Sequence, residues 1–212
     1  MSNRNILAAL GLLVMGASAC ATSGHRKAEN LAGTIDVTVA AVDAHDVSRQ
    51  ASLDSMDSLV AKPHDNLSAR FEAFNSSVDR VVSTDAKLRG AVDSMKASAA
   101  KRFDAWGAQN RSYADKDMRI QSEENRVEAE EAFSEAAKDA DGMLEQSAGF
   151  VSYLSDLRKV LSNDLSEKGV ADAADFAAKA RTTSGKLDDM ARPIRKSLGA
   201  AADKMSPRDN HK

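Results

Sequence analysis

Between residues 67 and 106 the apolar side chains recur in alternating steps of four and three. The positions are Leu67, Phe71, Phe74, Val78, Val81, Asp85, Leu88, Val92, Met95, Ala99, Arg102 and Trp106, and ten of the twelve are apolar. A strand would alternate every second residue, whereas a seven-residue repeat sustained this long predicts a helix with coiled-coil-like packing. At 1.5 Å per residue that helix is about 60 Å long. Upstream, Ile35, Val39, Val42, Asp46, Arg49, Leu53, Met56 and Val60 form a weaker stripe of the same kind. It predicts a first helix over roughly 27–61, although the β-branched stretch 34–42 would by itself allow a strand. Lys62-Pro63-His64-Asp65-Asn66 is the turn between the two, with Asp65 or Asn66 placed to cap the second helix.

Residues 107–110 read as a second turn, and Ser112 followed by Asp115 resembles a capping box. A third, longer helix is expected from there to about 164. Its second half carries Phe133, Ala136, Ala140, Met143, Ser147, Phe150, Leu154, Leu157 and Leu161 at helical spacing. Its first half, 115–131, has only Met118, Ile120 and Val127 as sizeable apolar residues. That half reads as a solvated face supported by pairs such as Arg119–Glu123 and Arg126–Glu130, with a partner-binding face as the alternative. Gly169 marks a loop or helix end. A small-residue stripe follows: Ala173, Ala177, Ala180, Ser184, Leu187, Ala191, Ile194 and Leu198. Pro193 is expected to kink or end this last helix. The expected fold is all-α: an elongated antiparallel coiled-coil-like helical bundle of three long helices and one shorter Ala-rich helix, spanning 27–201, with a disordered tail over 202–212. Folding the first two helices over Pro63 brings Asp46 and Arg49 level with Arg80 and Asp85. This reads as a polar layer fixing helix register, with a charged site as the alternative. On the first reading Asp85→Leu raises thermal stability while loosening register.

The leading residues carry another pattern. Residues 1–5 are polar and include Arg4, 6–15 are uninterrupted apolar, 16–19 are small, and Cys20 follows as the only cysteine. That order predicts a secretory signal over 1–19; its apolar run is too short for a span of about 20 residues. Cleavage between Ala19 and Cys20 would leave the cysteine as the new N-terminus. The segment resembles the lipobox of bacterial lipoproteins, with Ala17 where leucine is usual. The resemblance implies lipid attachment at Cys20, with 20–26 as lipidated N-terminus and tether. Because Ala21 does not act as an inner-membrane retention signal, it also implies the periplasmic face of the outer membrane. Each buried methylene adds about 0.8 kcal/mol, and two or more acyl chains anchor stably. A soluble periplasmic protein with an unmodified Cys20 is the alternative.

The 29 basic and 32 acidic residues give a net charge of −3, and loss of Arg4 with the leader leaves 28 against 32, near −4. A generally basic nucleic-acid binder is excluded. One cysteine permits no disulfide within the chain, and an aromatic content of 4% suits helices better than a sheet. No glycine-rich phosphate loop, His-x-x-x-His pair or Glu-x-x-His spacing occurs, so no catalysis, metal, cofactor or small-molecule substrate is expected. His25, His45, His64 and His211 are scattered. His45 beside Asp46 is the one arguable acid–base pair, and it is expected on a solvated flank. Cys20 lacks the histidine partner that a nucleophile needs. The basic stretch 179–212 suits anionic lipid headgroups or the cell wall, and terminal Lys212 is a candidate for wall attachment.

Phe103-Asp104-Ala105-Trp106, Tyr113, Ser122-Glu123, the charged tract 119–133 and the run FVSYLSDLRKVLSNDL at 150–165 stand in an order that resembles an uncharacterised family of exported helical proteins of Gram-negative bacteria. The family's Leu-His-Asn-Leu-Asn is Leu161-Ser162-Asn163-Asp164-Leu165 here, so any role of that histidine is not carried over. The resemblance implies an all-α periplasmic fold and no known activity. The expected function is a structural or adaptor module of the envelope, bound to the membrane by its lipid and to a protein partner or a second copy. A periplasmic chaperone-like or ligand-binding helical bundle is the alternative.

Overall fold

The computed structural model describes residues 17–62 and 64–205, with side chains over 24–62 and 64–204. The leader up to residue 16, and the tail from 206 with His211 and Lys212, lie outside the described residues. Among the described residues the chain is all-α, with no strand. Three long helices, α1 (Ala17–Ala61), α2 (Leu67–Asn110) and α3 (Lys116–Asn163), are followed by a short α4 (Glu167–Asp172) that leads into α5 (Ala174–Met205). The helices pack in a ring, α1 on α2, α2 on α3, α3 on α5 and α5 back on α1. Short reversals between long helices make this an up-down-up-down four-helix bundle. At 48 residues α3 is about 70 Å long.

The second and third helices bury the stripes read from the sequence. Phe74, Val78, Val81, Leu88, Val92, Met95, Ala99 and Phe103 of α2 face Phe133, Ala136, Ala140, Met143, Phe150, Leu154, Leu157 and Leu161 of α3 inside one core. In α1 the buried seam shares Ile35, Val42, Arg49 and Met56 with the expected stripe, and Leu53 of that stripe is buried beside it. The seam steps three and four through Ala28, Leu31, Ile35, Thr38, Val42, His45, Arg49, Ser52, Met56 and Leu59. Val39 and Val60 only flank the core. Four of the ten seam residues are polar, and three of them, Thr38, His45 and Ser52, are positions that apolar periodicity alone missed. Helical hydrogen bonding is uninterrupted through the β-branched stretch, where the Thr38 hydroxyl donates to the Thr34 carbonyl at 2.9 Å and to Ala91 of α2 at 3.2 Å.

Several expected boundaries move. The first helix begins at Ala17 rather than 27, so residues 20–26 belong to α1 instead of forming a tether. α2 continues through 107–110, and the reversal falls at 111–115. Asp115 alone caps α3, accepting from the Met118 amide at 2.9 Å, while Ser112 Oγ donates back to the Gln109 carbonyl. Asn66 starts α2 without a side-chain bond, in the left-handed conformation (φ 49°) that asparagine tolerates better than most residues. Gly169 sits inside the six-residue α4 rather than in a loop, and glycine is needed there because a Cβ would collide with the Asp164 carbonyl. Pro193 lies within α5, which runs on to Met205. The missing amide at Pro193 falls on the solvent side of the bundle, where water can satisfy the freed carbonyl.

Candidate functional site: a buried polar layer

Halfway along the bundle each long helix contributes a polar residue to the interior: His45 and Arg49 from α1, Asp85 from α2, Ser147 from α3 and Ser184 from α5. His45, expected on a solvated flank, is 0% exposed. Its Nε2 lies 2.8 Å from Ser147 Oγ, and that hydroxyl donates to Asp85 Oδ1 at 2.5 Å. Since the serine proton is committed to the carboxylate, the oxygen must accept from His45, which fixes the imidazole proton on Nε2. Nδ1 is then a bare acceptor, 3.4 Å from Thr84 Oγ1. Ser48 Oγ completes this side, 2.6 Å from Thr84 and 2.9 Å from the His45 carbonyl. Burial pushes the His45 pKa below its ordinary 6.5; Arg49 lowers it further, while Asp85 and Asp46 oppose the shift.

One turn along, Arg49 is sealed in the core at 1% exposure. Nη2 binds Asp46 at 2.9 Å and Asp188 at 2.5 Å, and Nη1 donates to the Ser184 carbonyl at 2.7 Å and to the Ser184 hydroxyl. Only its Nε is buried without a partner. Arg195 of α5 extends the network, binding Asp43 through Nε at 2.6 Å and Asp46 through Nη2. The level of Asp46, Arg49 and Asp85 is thus the one expected, but the partners differ. Asp46 and Arg49 pair with α5, Asp85 serves Ser147 and lies 3.7 Å from Arg89, and the exposed Arg80 side chain stands apart from the layer. The apolar pattern could not show this, because nothing in it sets α5 beside α1.

Serine, histidine and aspartate in contact invite comparison with a hydrolase triad. There the histidine bridges the other two, taking the serine proton while the carboxylate holds its second nitrogen. Here the serine bridges histidine and aspartate, so its proton already rests on a carboxylate. The set lacks the order of such a triad, and among the described residues no group of carboxylate, histidine or cysteine side chains could hold a metal ion.

A second polar cluster closes the end where α2 turns into α3. Trp106 Nε1 donates to Ser122 Oγ at 3.0 Å, Ser122 to Asn110 Oδ1 at 2.6 Å, and Asn110 Nδ2 to Glu123 at 2.7 Å. Trp106, Asn110, Ser122 and Glu123 therefore meet in space. Glu123 is also gripped by Arg126 at 2.6 Å. The hydrogen bonds from Arg126 and then Asn110 pull its pKa down to about 2. Of the two expected pairs on this helix, Arg126–Glu130 forms at 2.5 Å, while Glu123 takes Arg126 rather than Arg119. Arg102, a polar exception in the α2 stripe, lays its guanidinium 4.4 Å over the Trp106 ring. Beside the cluster lies an open cleft of about 770 Å³ lined by Phe103, Asp104, Gly107, Arg111, Arg119 and Ile120 among others. Ile120, which lines this cleft, is 45% exposed, and Met118 in the same turn of α3 is 68% exposed.

Ala19 and Cys20, the expected cleavage and lipid-attachment residues, lie in the first turns of α1. No helix among the described residues is long and apolar enough to cross a membrane. Comparison with protein-family models, with curated proteins and with solved structures finds no match.

Proposed function

We propose that this chain is a lipid-anchored envelope protein that works as a rigid helical spacer or adaptor and carries out no catalysis. The observation that supports this reading is how the bundle spends its polar groups. The conspicuous ones are engaged with one another across helices, locking four helices into one register, while the residue proposed for lipid attachment stands at one end of a rod about 70 Å long. Such a rod sets a distance. A protein partner, or a second copy, bound at its far end would be held tens of ångströms from the membrane face. The leader-like residues 1–19 and the resemblance to exported helical proteins favour the periplasmic face of the outer membrane.

The test has two arms. Mass spectrometry of the mature N-terminus should find Cys20 acylated and residues 1–19 removed; a free thiol at that position ends the anchoring part. Crosslinking in cells followed by capture should return a small, reproducible set of envelope proteins. A broad spread of unfolded clients would instead favour a chaperone-like bundle.

A further inference from the structure

On its outer side, away from the core, α1 carries a second stripe. Val37, Ala40, Ala44, Val47 and Ala51 repeat in steps of three and four, the spacing of a coiled-coil seam. Val37 is 61% exposed and Val47 71%. Ala40 and Ala44 are exposed and Ala51 is half-buried, so no helix among the described residues covers this face. Asp54 ends the stripe on one side, and Asn30 and Gly33 carry it toward Arg26 on the other.

The two flanks of the stripe differ in charge. On the α5 side Glu29, Asp36 and Asp43 recur every seven residues, all exposed. Asp43 marks the side by its 2.6 Å bond to Arg195. The outward charges of α5 along this flank balance, Asp188, Asp189 and Asp203 against Arg192, Arg195 and Lys196, so the α1 row leaves the flank acidic. Toward α2, the matching α1 positions Thr34, Ala41, Ser48 and Ser55 carry no charge. There α2 supplies the charge, and it is basic. Ser77 and Thr84 of α2 lie 2.7 and 2.6 Å from Ser55 and Ser48 of α1. Arg80 and Lys87 follow those two by three residues and so stand on the outer side of the contact line, with Lys101 two heptads further on. All three are exposed, and none is ion-paired among the described residues. The Thr84–Ser48 and Thr38–Ala91 contacts also fix the levels. Lys87 stands level with Asp43, Lys101 with Glu29, and Arg80 with Gln50.

From this pattern we infer that the outer face of α1 binds a second copy of the chain, parallel to the first, about a two-fold axis along the rod. Val37 and Val47 then meet their own counterparts, and Lys87 and Lys101 reach the partner's Asp43 and the partner's Glu29. Rotation about the rod axis sets the α2 flank of one chain against the α5 flank of the other, so a basic row meets an acidic row at the same level. A two-fold across the rod would set α2 against α2, basic row on basic row. Flanking charges choose orientation in this way in coiled coils, and an isologous contact closes at two chains. The parallel arrangement also brings both Cys20 residues to one end, where two chains anchored in one membrane face need them. The pairing deepens the adaptor reading by naming the second copy and setting it alongside the rod, but it needs no lipid.

The test uses the chain from residue 20 onward with Cys20→Ser, which keeps every described core residue from Ala28 to Ala202 and has neither thiol nor lipid. Sedimentation velocity from low to high micromolar concentration should show a reversible monomer–dimer equilibrium, weakened by salt. Val47→Glu should abolish the dimer and leave the helical circular dichroism unchanged. Lys101→Glu and Glu29→Lys should each weaken the dimer severalfold, and the two together should restore it. Val47→Cys should oxidise to a disulfide-linked dimer, whereas Val160→Cys, likewise exposed but on α3, should not. A chain that stays monomeric throughout the range overturns the inference, and so does a dimer that Val47→Glu leaves intact. Linkage of Val37→Cys chains to Val47→Cys chains, with none between two Val47→Cys chains, marks an antiparallel pair and overturns it too. A monomer leaves the proposed anchoring untouched, and a free thiol on the native chain leaves the dimer untouched, so the two readings fail separately.

Discussion

His45 and Arg49 show how a heptad position can hold a residue that composition places outside. His45 is neutral at its site because burial opposes its charge and because only Nε2 has a committed acceptor. The unfolded chain takes up that proton near pH 6.5, and the folded chain resists it to lower pH. The stabilisation is therefore complete above about pH 6.5 and is lost as pH falls below it. The lowered carboxylates Glu123 and Glu128 titrate below their ordinary 4.5, outside the window between about pH 6.5 and 5. Urea unfolding across that window should show stability falling toward acid, and His45→Gln should flatten the slope. An unchanged slope in the variant would place the titration elsewhere. Arg49 poses a different question, because its carboxylates are at the rim: Asp188 is half exposed and Asp46 keeps Arg195. Removing the guanidinium strands no buried charge, so the cost should follow lost volume. Arg49→Ala is expected to cost about 2–5 kcal/mol and Arg49→Met less than about 1.5. At about 2–4 °C per kcal/mol for a chain of this size, melting curves separate the two. The expectation that Asp85→Leu stabilises is weakened, since the carboxylate holds the Ser147 proton.

At the scale of the helix, backbone chemistry gives predictions of opposite sign. A Cβ at Gly149 meets nothing within 4 Å, so Gly149→Ala should stabilise by about 0.5–1 kcal/mol. Gly169→Ala should destabilise, because the added carbon meets backbone, the Asp164 carbonyl, and not a side chain that can move aside. Pro193 is exposed within α5, so Pro193→Ala restores an amide to the helix and should raise the melting temperature; a fall would mean that the proline ring shapes the packing of Ile194. The long elements were legible because Phe74 to Phe103 and Phe133 to Leu161 repeat an apolar seam with few polar breaks. The α1 seam was legible at Ile35, Val42, Arg49 and Met56 but not between them, where Thr38, His45 and Ser52 are polar and apolar Val39 and Val60 stand beside the seam as decoys. The polar layer was half legible. Its level follows from the reversal between α1 and α2, but its true partners, Ser184, Asp188 and Arg195, sit more than 130 residues away in α5, beyond the reach of any local pattern.

For the whole molecule, α5 decides whether the bundle closes. It carries the Ala-rich seam Ala177, Ala180, Ala191 and Ala202, whose small side chains let the backbones approach but bury little each. Leu187, Ile194 and Leu198 are its large apolar residues, all at or below 1% exposure. Those three alone are worth about 5–9 kcal/mol of burial, comparable with the 5–15 kcal/mol net stability of an ordinary domain. α5 also supplies the partners of Arg49 and of Asp43, Asp46 and Asp57 on α1. A chain ended at Asn163 would open the α1 and α3 seams together and leave Arg49 buried without Asp188 or Ser184. It should therefore lose the sharp thermal transition of the full chain and associate, covering its seams with those of another copy. Thermal circular dichroism and sedimentation velocity on both chains measure this directly. A truncated chain that stays monomeric and melts as sharply as the parent would mean that three helices suffice for the core and that the interior polar layer does not couple the fourth.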